Sequence, residues 1–296
     1  MNKLFNLLII SVVLLQSCQL PDVIRGNGNE VSEMRAIAKV DRVELQINAE
    51  VYITNEHSDS VKLRAESNIL NEIVLENNGG KLVIKQKVGS ILKENEPIRI
   101  YIGTSSLSAM EVSGSGYMEC DTIYVDDNSE ITVSGSGKIK TKQVYGSNLR
   151  AEIRGSGELS IDSIDVIKFT TDVSGSGKIN AKYANCAESR LEISGSGKTT
   201  LNVFCNQIKT TISGSGDVNL NGSAGISEIN ISGSGKYNAY NCYSDTCYAT
   251  ISGSGDVMVD VSSLLDVSIS ASGSVIYEGN PELNYKISGS GNVSKR

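Results

Sequence analysis

The sequence predicts an all-β protein: a right-handed parallel β-helix of about ten coils of 18–21 residues with an irregular N-terminal β cap. Two observations carry this prediction. The tetrapeptide Ser-Gly-Ser-Gly recurs at intervals of 18–21 residues, and aliphatic residues alternate with polar ones on both sides of each copy. A fixed period of this size is typical of solenoids, in which each repeat is one turn stacked on the last.

The repeat occupies residues 107–296. Intact copies of the motif begin at eight serines, and two altered copies replace one residue each. The intact copies start at Ser113, Ser134, Ser174, Ser194, Ser213, Ser232, Ser252 and Ser288, and the altered ones are Arg154-Gly155-Ser156-Gly157 and Ser270-Ala271-Ser272-Gly273.

Alternation defines the strands of each coil. The residue just before the motif is valine or isoleucine in all ten copies, as in Ile193 and Ile212, and the residue before it is mostly polar. A period of two over five residues predicts a strand with one buried face. Two similar sets of alternating positions occur in each repeat, one directly after the motif and one midway to the next copy. Each turn should therefore carry three short strand segments, each with one face toward the core.

The motif itself predicts a sharp corner. Continued alternation places both glycines on the core side and both serines outside, where their hydroxyls should bond along the axis. The glycines expected at these structural turns are Gly114, Gly116, Gly135, Gly137, Gly175, Gly177, Gly195, Gly197, Gly214, Gly216, Gly233, Gly235, Gly253, Gly255, Gly289 and Gly291.

The N-terminus predicts export and lipidation. Residues 1–17 have a positive charge at Lys3 and an apolar stretch too short to span a bilayer, which is typical of a signal peptide. Leu14-Leu15-Gln16-Ser17-Cys18 resembles a bacterial lipobox, which would make Cys18 the lipidated residue and the membrane anchor. By resemblance to the enterobacterial sorting rule, Gln19 indicates the outer membrane, with the membrane face undecided.

Two segments separate this anchor from the repeat. Residues 18–34 contain Pro21, Gly26 and Gly28 and lack periodicity, which predicts a flexible tether. Residues 35–106 contain alternating strand patterns, such as the one from Val43 to Ile53, but no Ser-Gly-Ser-Gly. This region is expected to be an irregular β cap on the solenoid.

Composition and motif context exclude several classes of function. The net charge of −7 argues against nucleic-acid binding. The one histidine, His57, lies in a predicted hairpin turn, and the cysteines form no CxxC pair, so neither zinc nor another cofactor is expected. The recurrent motif lacks a following helix and a histidine partner, which excludes a phosphate-binding loop and a nucleophile elbow.

Three further groups of residues admit both a functional and a structural role. Five cysteines fall in inward columns and are expected to be buried free thiols; they are Cys120, Cys186, Cys205, Cys242 and Cys247. A disulfide between Cys186 and Cys205, or between Cys242 and Cys247, remains the alternative, because an exported protein permits disulfides. An acidic column could hold Ca²⁺, but the chain lacks the glycine-aspartate nonapeptide of calcium-binding β-rolls, so calcium is disfavoured; the column is Glu111, Glu152, Asp172 and Glu192. The residues after the motif predict a solvated salt-bridge ladder rather than a ligand-binding ridge; they are Tyr117, Lys138, Glu158, Lys178, Lys198, Asp217, Lys236 and Asp256.

Four segments together are typical of one bacterial family. They are the lipobox, Val43-Glu44-Leu45, Gly80-Lys81-Leu82-Val83-Ile84 and Ser174-Gly175-Ser176-Gly177-Lys178-Ile179-Asn180. On these residues the chain resembles the head GIN domain family, whose members are described as candidate autotransporter adhesins and are common in Bacteroidetes. The resemblance covers nearly everything after the tether. It implies a β-helical fold and export, but little chemistry.

The expected function is therefore non-enzymatic. The main hypothesis is a lipid-anchored adhesin or binding scaffold that presents its polar surface to a glycan or an envelope protein. The first alternative is a polysaccharide-acting β-helix enzyme, disfavoured by the absence of tryptophan. The second is a structural protein that self-associates as a homo-oligomer through its C-terminal coil.

Overall fold

The computed structural model describes residues 21–56, 58, 60–127 and 129–296. The predicted signal peptide, Cys18 and His57 lie outside the described residues. The N-terminal part contains nine strands and one short helix: β1 (Asp22–Arg25), β2 (Glu30–Ala36), β3 (Arg42–Leu45), β4 (Glu50–Thr54), β5 (Ser60–Glu66), α1 (Ser67–Leu70), β6 (Ile73–Asn78), β7 (Lys81–Gln86), β8 (Ser90–Lys93) and β9 (Arg99–Gly103).

The rest of the described chain is the repeat region, whose strands run almost from one motif to the next. They are β10 (Ala109–Gly114), β11 (Tyr117–Val125), β12 (Ser129–Gly135), β13 (Lys138–Gly155), β14 (Glu158–Val173), β15 (Lys178–Ile193), β16 (Lys198–Ile212), β17 (Asp217–Ile231), β18 (Lys236–Ile251), β19 (Asp256–Ile269), β20 (Ser274–Glu278), β21 (Glu282–Ile287) and β22 (Asn292–Lys295).

Successive coils stack as parallel strands in register, which confirms the predicted β-solenoid. In β15 the residues paired with β16 form three segments, 178–181, 184–186 and 188–193, separated by short breaks. Within them, buried residues are separated by partly or fully exposed ones; the buried set is Ile179, Ala181, Ala184, Cys186, Ser189, Leu191 and Ile193. The stacked aliphatic columns form the core, and the hydrophobic effect therefore favours every added coil.

The solenoid has about nine turns, where ten coils were expected. Ten copies of the corner motif bound only nine intervals between them. At a strand spacing of ~4.8 Å, nine coils place the first and last motifs about 43 Å apart.

The N-terminal region continues the solenoid as well as capping it. β3 and β4 pair with the first repeat strands, with Leu45 opposite Val112 and Val51 opposite Met118. On their other side, β3 pairs in parallel with β7, and β4 with β9. Residues 42–54 therefore form a layer between a strand pair that comes later in the chain and the first repeat coil. Sequence order could not reveal this, because the layers are not stacked in chain order.

Antiparallel strands then close this end. β6 pairs with β7, β5 pairs with β9, and β2 pairs with β5. These pairings cover the backbone edge that a solenoid would otherwise expose.

The predicted tether differs from the structure. β1 lies parallel to β8, and β2 lies antiparallel to β5, so residues 22–36 are largely strand. The carboxylate of Glu66 helps hold this segment by accepting bonds from the backbone N–H groups of Gly28 at 2.5 Å and Asn95 at 2.9 Å. The bonds from Asn95 and Gly28 lower the pKa of Glu66. The tether prediction failed because pairing with distant strands, rather than local periodicity, orders these residues.

No helix in the described ranges has the length and apolar character needed to cross a bilayer.

Candidate functional site

The corner glycines occupy two different environments. The second glycine of each motif faces the core, as predicted: a Cβ on Gly197 would lie 2.3 Å from Val173 Cγ1 of the preceding coil. The first glycine does not face the core. A Cβ on Gly195 would lie 2.3 Å from the carbonyl oxygen of Gly175, so this position allows backbone to pack on backbone. The two glycines therefore have different contacts, one with side chains of the core and one with backbone.

The serines form a ladder through their backbone and not through their hydroxyls. The N–H of Ser196 donates to the carbonyl of Gly175 at 2.9 Å, and the N–H of Ser194 donates to the carbonyl of Val173 at 3.0 Å. The same bonds recur in neighbouring coils, whereas the hydroxyl bond from Ser174 to the carbonyl of Ile153 is long, at 3.5 Å. The expected hydroxyl ladder is therefore replaced by a backbone ladder. The motif therefore has a structural role.

The acidic column is neutralised by neighbouring bases. Glu152 is buried and receives two bonds of 2.7 Å from Arg154, the residue that replaces a motif serine. Arg150 lies 3.1 Å from Asp172. Similarly, Lys81 lies 3.2 Å from Glu111, and Arg190 pairs with Glu192. No group of three or more His, Cys, Asp or Glu side chains is placed to hold a metal ion within the described ranges.

Two acids beside Glu152 have raised pKa values. Burial, followed by the hydrogen bond and the charge of Glu152, raises the pKa of Glu130. Burial and the charge of Glu152 also raise the pKa of Asp172. Ionising these groups therefore costs more in the folded chain than in the unfolded chain, and their contribution to stability falls as the pH rises from about 4.

Replacing Glu130 with glutamine is therefore expected to stabilise the protein at pH 7. The gain should be about 0.5 kcal/mol at most, because the side chain is 42% exposed and solvent screens the repulsion. The gain should disappear below pH 4, where the carboxyl is protonated in both states. Urea unfolding at both pH values measures it, with exposed Glu188→Gln as the control, and a gain that is equal at both pH values would contradict this explanation.

The residues after the motif stack in a single column, as predicted. Tyr117, Lys138 and Glu158 are successive register partners, and Lys138 lies 3.2 Å from Glu158. Two lysines, Lys178 and Lys198, are also neighbours in this column. The arrangement is a solvated charged row with mixed pairing.

All five cysteines of the repeat are free thiols. Four are buried and Cys205 is partly exposed; it lies opposite Cys186 in the adjacent coil. Burial raises the pKa of Cys242 to about 11, and that of Cys247 to about 12. Thiols held in this protonated form are poor nucleophiles and behave as small apolar side chains.

One exposed feature was not found by sequence reasoning. An outward column on the second segment of the coils carries aromatic residues, and a neighbouring outward position adds one more. We call this set the aromatic strip; its members, with their exposed fractions, are Tyr124 (55%), Tyr145 (36%), Tyr183 (44%), Phe204 (37%) and Tyr243 (46%).

Register places the strip along the rod. Tyr124 is opposite Tyr145, and Tyr145 is followed in successive coils by Asp165, Asn185 and Phe204. Beyond Phe204 the column continues through Ser223, Tyr243 and Asp260. The strip thus follows one side of the solenoid across seven coils, from Tyr124 to Tyr243.

The strip combines rings with hydrogen-bonding groups. The rings of Tyr183 and Phe204 lie 5.4 Å apart with an angle of 37° between their planes. Beside them, the amide of Asn185 donates to the carboxylate of Asp165 at 2.9 Å. Exposed aromatic faces next to fixed polar groups are suited to a ligand that has both apolar faces and hydroxyls.

The strip escaped sequence analysis because its column also holds Asp165, Asn185 and Ser223, so the column has no uniform residue type. Counting back from the next motif would have revealed most of it, since Tyr145, Phe204 and Tyr243 each stand nine residues before one.

Comparison with protein families gives a match over most of the chain. The family model described as "Putative auto-transporter adhesin, head GIN domain" matches residues 40–204 and 188–281. A search among curated proteins gives no match.

Solved structures share the fold at low identity. A "putative adhesin" from Parabacteroides distasonis is 18% identical with a TM-score of 0.62, and the alignment covers 93% of this chain and 100% of that chain. A "putative adhesin" from Parabacteroides merdae is 16% identical with a TM-score of 0.52 over 93% and 99% of the two chains. A "Putative lipid binding protein" from Parabacteroides distasonis is 21% identical with a TM-score of 0.50 over 93% and 100%.

Proposed function

Because this chain belongs to the family described as the head GIN domain of putative auto-transporter adhesins, we propose that it is a lipid-anchored, non-enzymatic binding protein of the cell envelope whose aromatic strip holds an extended polysaccharide. The aromatic strip is the observation that carries the proposal. Its five exposed aromatic side chains lie on one side of the solenoid, where a long ligand can contact several of them at once.

The spacing of the strip supports an extended sugar chain. Phe204 and Tyr243 are two coils apart, which is about 10 Å at ~4.8 Å per coil. The rise of ~4.8 Å per coil is therefore close to the length of one sugar residue in an extended chain. Pyranose rings have apolar faces that stack on aromatic side chains, and Asp165, Asn185 and Ser223 supply partners for their hydroxyls.

Charge favours a neutral polysaccharide. The chain carries a net charge of −7, which repels polyanions at low ionic strength. Within the strip, Asp165 and Asp260 add negative charge, and acidic sugars would have to approach them. A neutral polysaccharide does not experience this electrostatic repulsion.

The carboxylates do not favour the enzymatic alternative. The acids of the acidic column are paired with arginine or lysine, and they lie in the third segment of the coils, away from the strip in the second. Hydrolysis by a carboxylate pair needs one acid available as a proton donor beside the sugar. The strip itself offers binding groups.

The test is a binding comparison on the intact protein. Native gels containing xylan, mannan or dextran should retard the wild-type protein in at least one of the three. The Tyr183→Ala/Phe204→Ala/Tyr243→Ala variant should lose this retardation, since each stacked ring contributes about 1 kcal/mol or more. The matched control is Tyr248→Ala, an exposed tyrosine outside the strip. Equal migration of wild type and triple variant in all the gels would contradict the proposal.

Anchoring rests on the lipobox and is tested separately. Replacing Cys18 with serine should abolish incorporation of labelled palmitate and release the protein from the membrane fraction, because the thiol is the acylation site. The matched control is Cys205→Ser in the repeat, which should leave labelling unchanged. Undiminished labelling of the Cys18→Ser variant would show that this anchor is absent.

A further inference from the structure

The C-terminal end of the solenoid has an open edge. β21 pairs with β19 and β22 pairs with β20, and no strand in the described ranges pairs with their other sides. Side chains that would be buried elsewhere in the solenoid are therefore uncovered. Tyr285 is 62% exposed, whereas its register partner Val267 in the preceding coil is 1% exposed.

The opposite end does not match this edge. There β5 and β6 occupy the outer edges of β9 and β7 as antiparallel partners, so the parallel coil edge is already covered. Head-to-tail stacking of coils into a fibre would need two open coil edges. The contact that joins one coil edge to another is therefore C-terminal edge against C-terminal edge.

The backbone of β21 presents usable groups at this edge. The N–H of Ser288 bonds to the carbonyl of Ile269 in the preceding coil at 2.9 Å. Because backbone groups alternate sides along a strand, the N–H and C=O groups of Leu283, Tyr285 and Ile287 point toward the open edge. An added strand could bond to all three residues.

The sequence of β21 is complementary to itself in the antiparallel direction. If two copies pair about Asn284, then Leu283 faces Tyr285 of the second copy and Glu282 faces Lys286 of the second copy. The first pair lies on the core side and the second on the outer side, so apolar residues meet apolar ones and opposite charges meet. In this register, Leu283 and Tyr285 are also the residues whose backbone groups point outward, as antiparallel hydrogen bonding requires.

We propose that two copies of this chain associate through antiparallel pairing of β21 about Asn284. A two-fold axis through Asn284 relates the copies, and each contributes the same surface. The contact extends both hydrophobic cores into one another and covers Tyr285. With the lipid anchor proposed above, the anchored ends would lie at opposite ends of the doubled rod, an arrangement suited to joining two membranes.

Cysteine cross-linking in cells tests the register on the full chain. In the proposed dimer the two Asn284 residues face each other as a non-hydrogen-bonded pair, with Cα atoms about 4.5 Å apart. An Asn284→Cys variant should therefore form a disulfide-linked dimer on a non-reducing gel, whereas the parent protein should not. Two control variants, Lys286→Cys in β21 and Ser263→Cys on the exposed side of β19, should stay monomeric. No dimer from Asn284→Cys, or equal dimer from all three variants, would overturn the proposal.

Exchanging the charges of Glu282 and Lys286 provides a second test, which can still be interpreted if one of the variants fails to fold. In the Asn284→Cys background, Glu282→Lys or Lys286→Glu alone places like charges opposite each other at two symmetric sites and should reduce the dimer yield at least threefold. The double exchange restores opposite charges and should restore the yield. A double variant as weak as either single one would contradict the pairing. Gel retardation by polysaccharide, which depends on the aromatic strip, should be unchanged in all three variants, so the two proposals fail separately.

Discussion

Replacing Gly197 with valine is expected to lower the free energy of unfolding by about 3 kcal/mol or more. A Cβ at this position would lie 2.3 Å from Val173 Cγ1 and 2.9 Å from the carbonyl oxygen of Gly177. Both atoms belong to the coil below, whose strands are paired on both sides and cannot retreat without breaking the backbone ladder. Valine adds two further methyl groups in the same space.

Urea unfolding followed by circular dichroism measures this effect. The matched control is Ser196→Val, at the adjacent exposed corner residue, which should change stability by no more than about 0.5 kcal/mol. This control introduces the same side chain and leaves the N–H of residue 196 free to bond to Gly175. If Gly197→Val is as stable as Ser196→Val, then close packing at the corner is not the reason for the second glycine.

Removing three buried hydroxyls is expected to have a large effect in the opposite direction. Thr171, Thr199 and Thr210 are fully buried in inward columns, and within the described ranges their hydroxyls have no hydrogen-bond partner. A buried hydroxyl without a partner costs about 1 kcal/mol or more relative to an apolar group of the same shape. The triple replacement by valine should therefore raise the free energy of unfolding by about 3 kcal/mol.

Thr141 provides the matched control for this experiment. It is equally buried, but its hydroxyl donates to the carbonyl of Gln143 at 3.4 Å. Thr141→Val should therefore give no gain, and each of the other three replacements should give one. If the triple variant is no more stable than wild type in urea, these hydroxyls are satisfied in solution and the proposed cost is wrong.

Much of the fold was accessible from the sequence because a solenoid repeats its local environment. The aliphatic residue before each motif, such as Ile193 or Ile212, lies in the core in every coil from Val112 to Ile269. Period-two alternation and a fixed spacing are enough to predict stacked parallel strands. In each coil the same side-chain pattern meets the same neighbours.

The parts that sequence reasoning missed depend on pairing between distant residues. Residues 22–36 have no periodicity of their own and become strands because β8 and β5 lie beside them. Residues 42–54 continue the solenoid although Gln46-Ile47-Asn48-Ala49 stands where the motif would be. Backbone pairing with β10 and β11 decides this, and no local pattern reports it.

The candidate binding surface was missed for a related reason. Inward columns are recognisable because burial restricts them to aliphatic residues, whereas outward columns accept almost any polar or aromatic residue. Register shows that Tyr145, Phe204 and Tyr243 share one column, in which polar residues occupy the coils between them. Tyr183 joins the strip through its ring contact with Phe204.

The central claim is that the aromatic strip binds an extended sugar chain, and titration calorimetry with oligosaccharides of increasing length tests it most directly. The probes are oligosaccharides cut from whichever polysaccharide retards the protein in native gels. Tyr124 lies six coils from Tyr243, so the rings of the strip span about 29 Å along the rod. Affinity should rise with each added sugar until the chain covers this span, and then level off. An affinity that is already maximal for a single sugar, or that is unchanged in the Tyr183→Ala/Phe204→Ala/Tyr243→Ala variant, would contradict the claim.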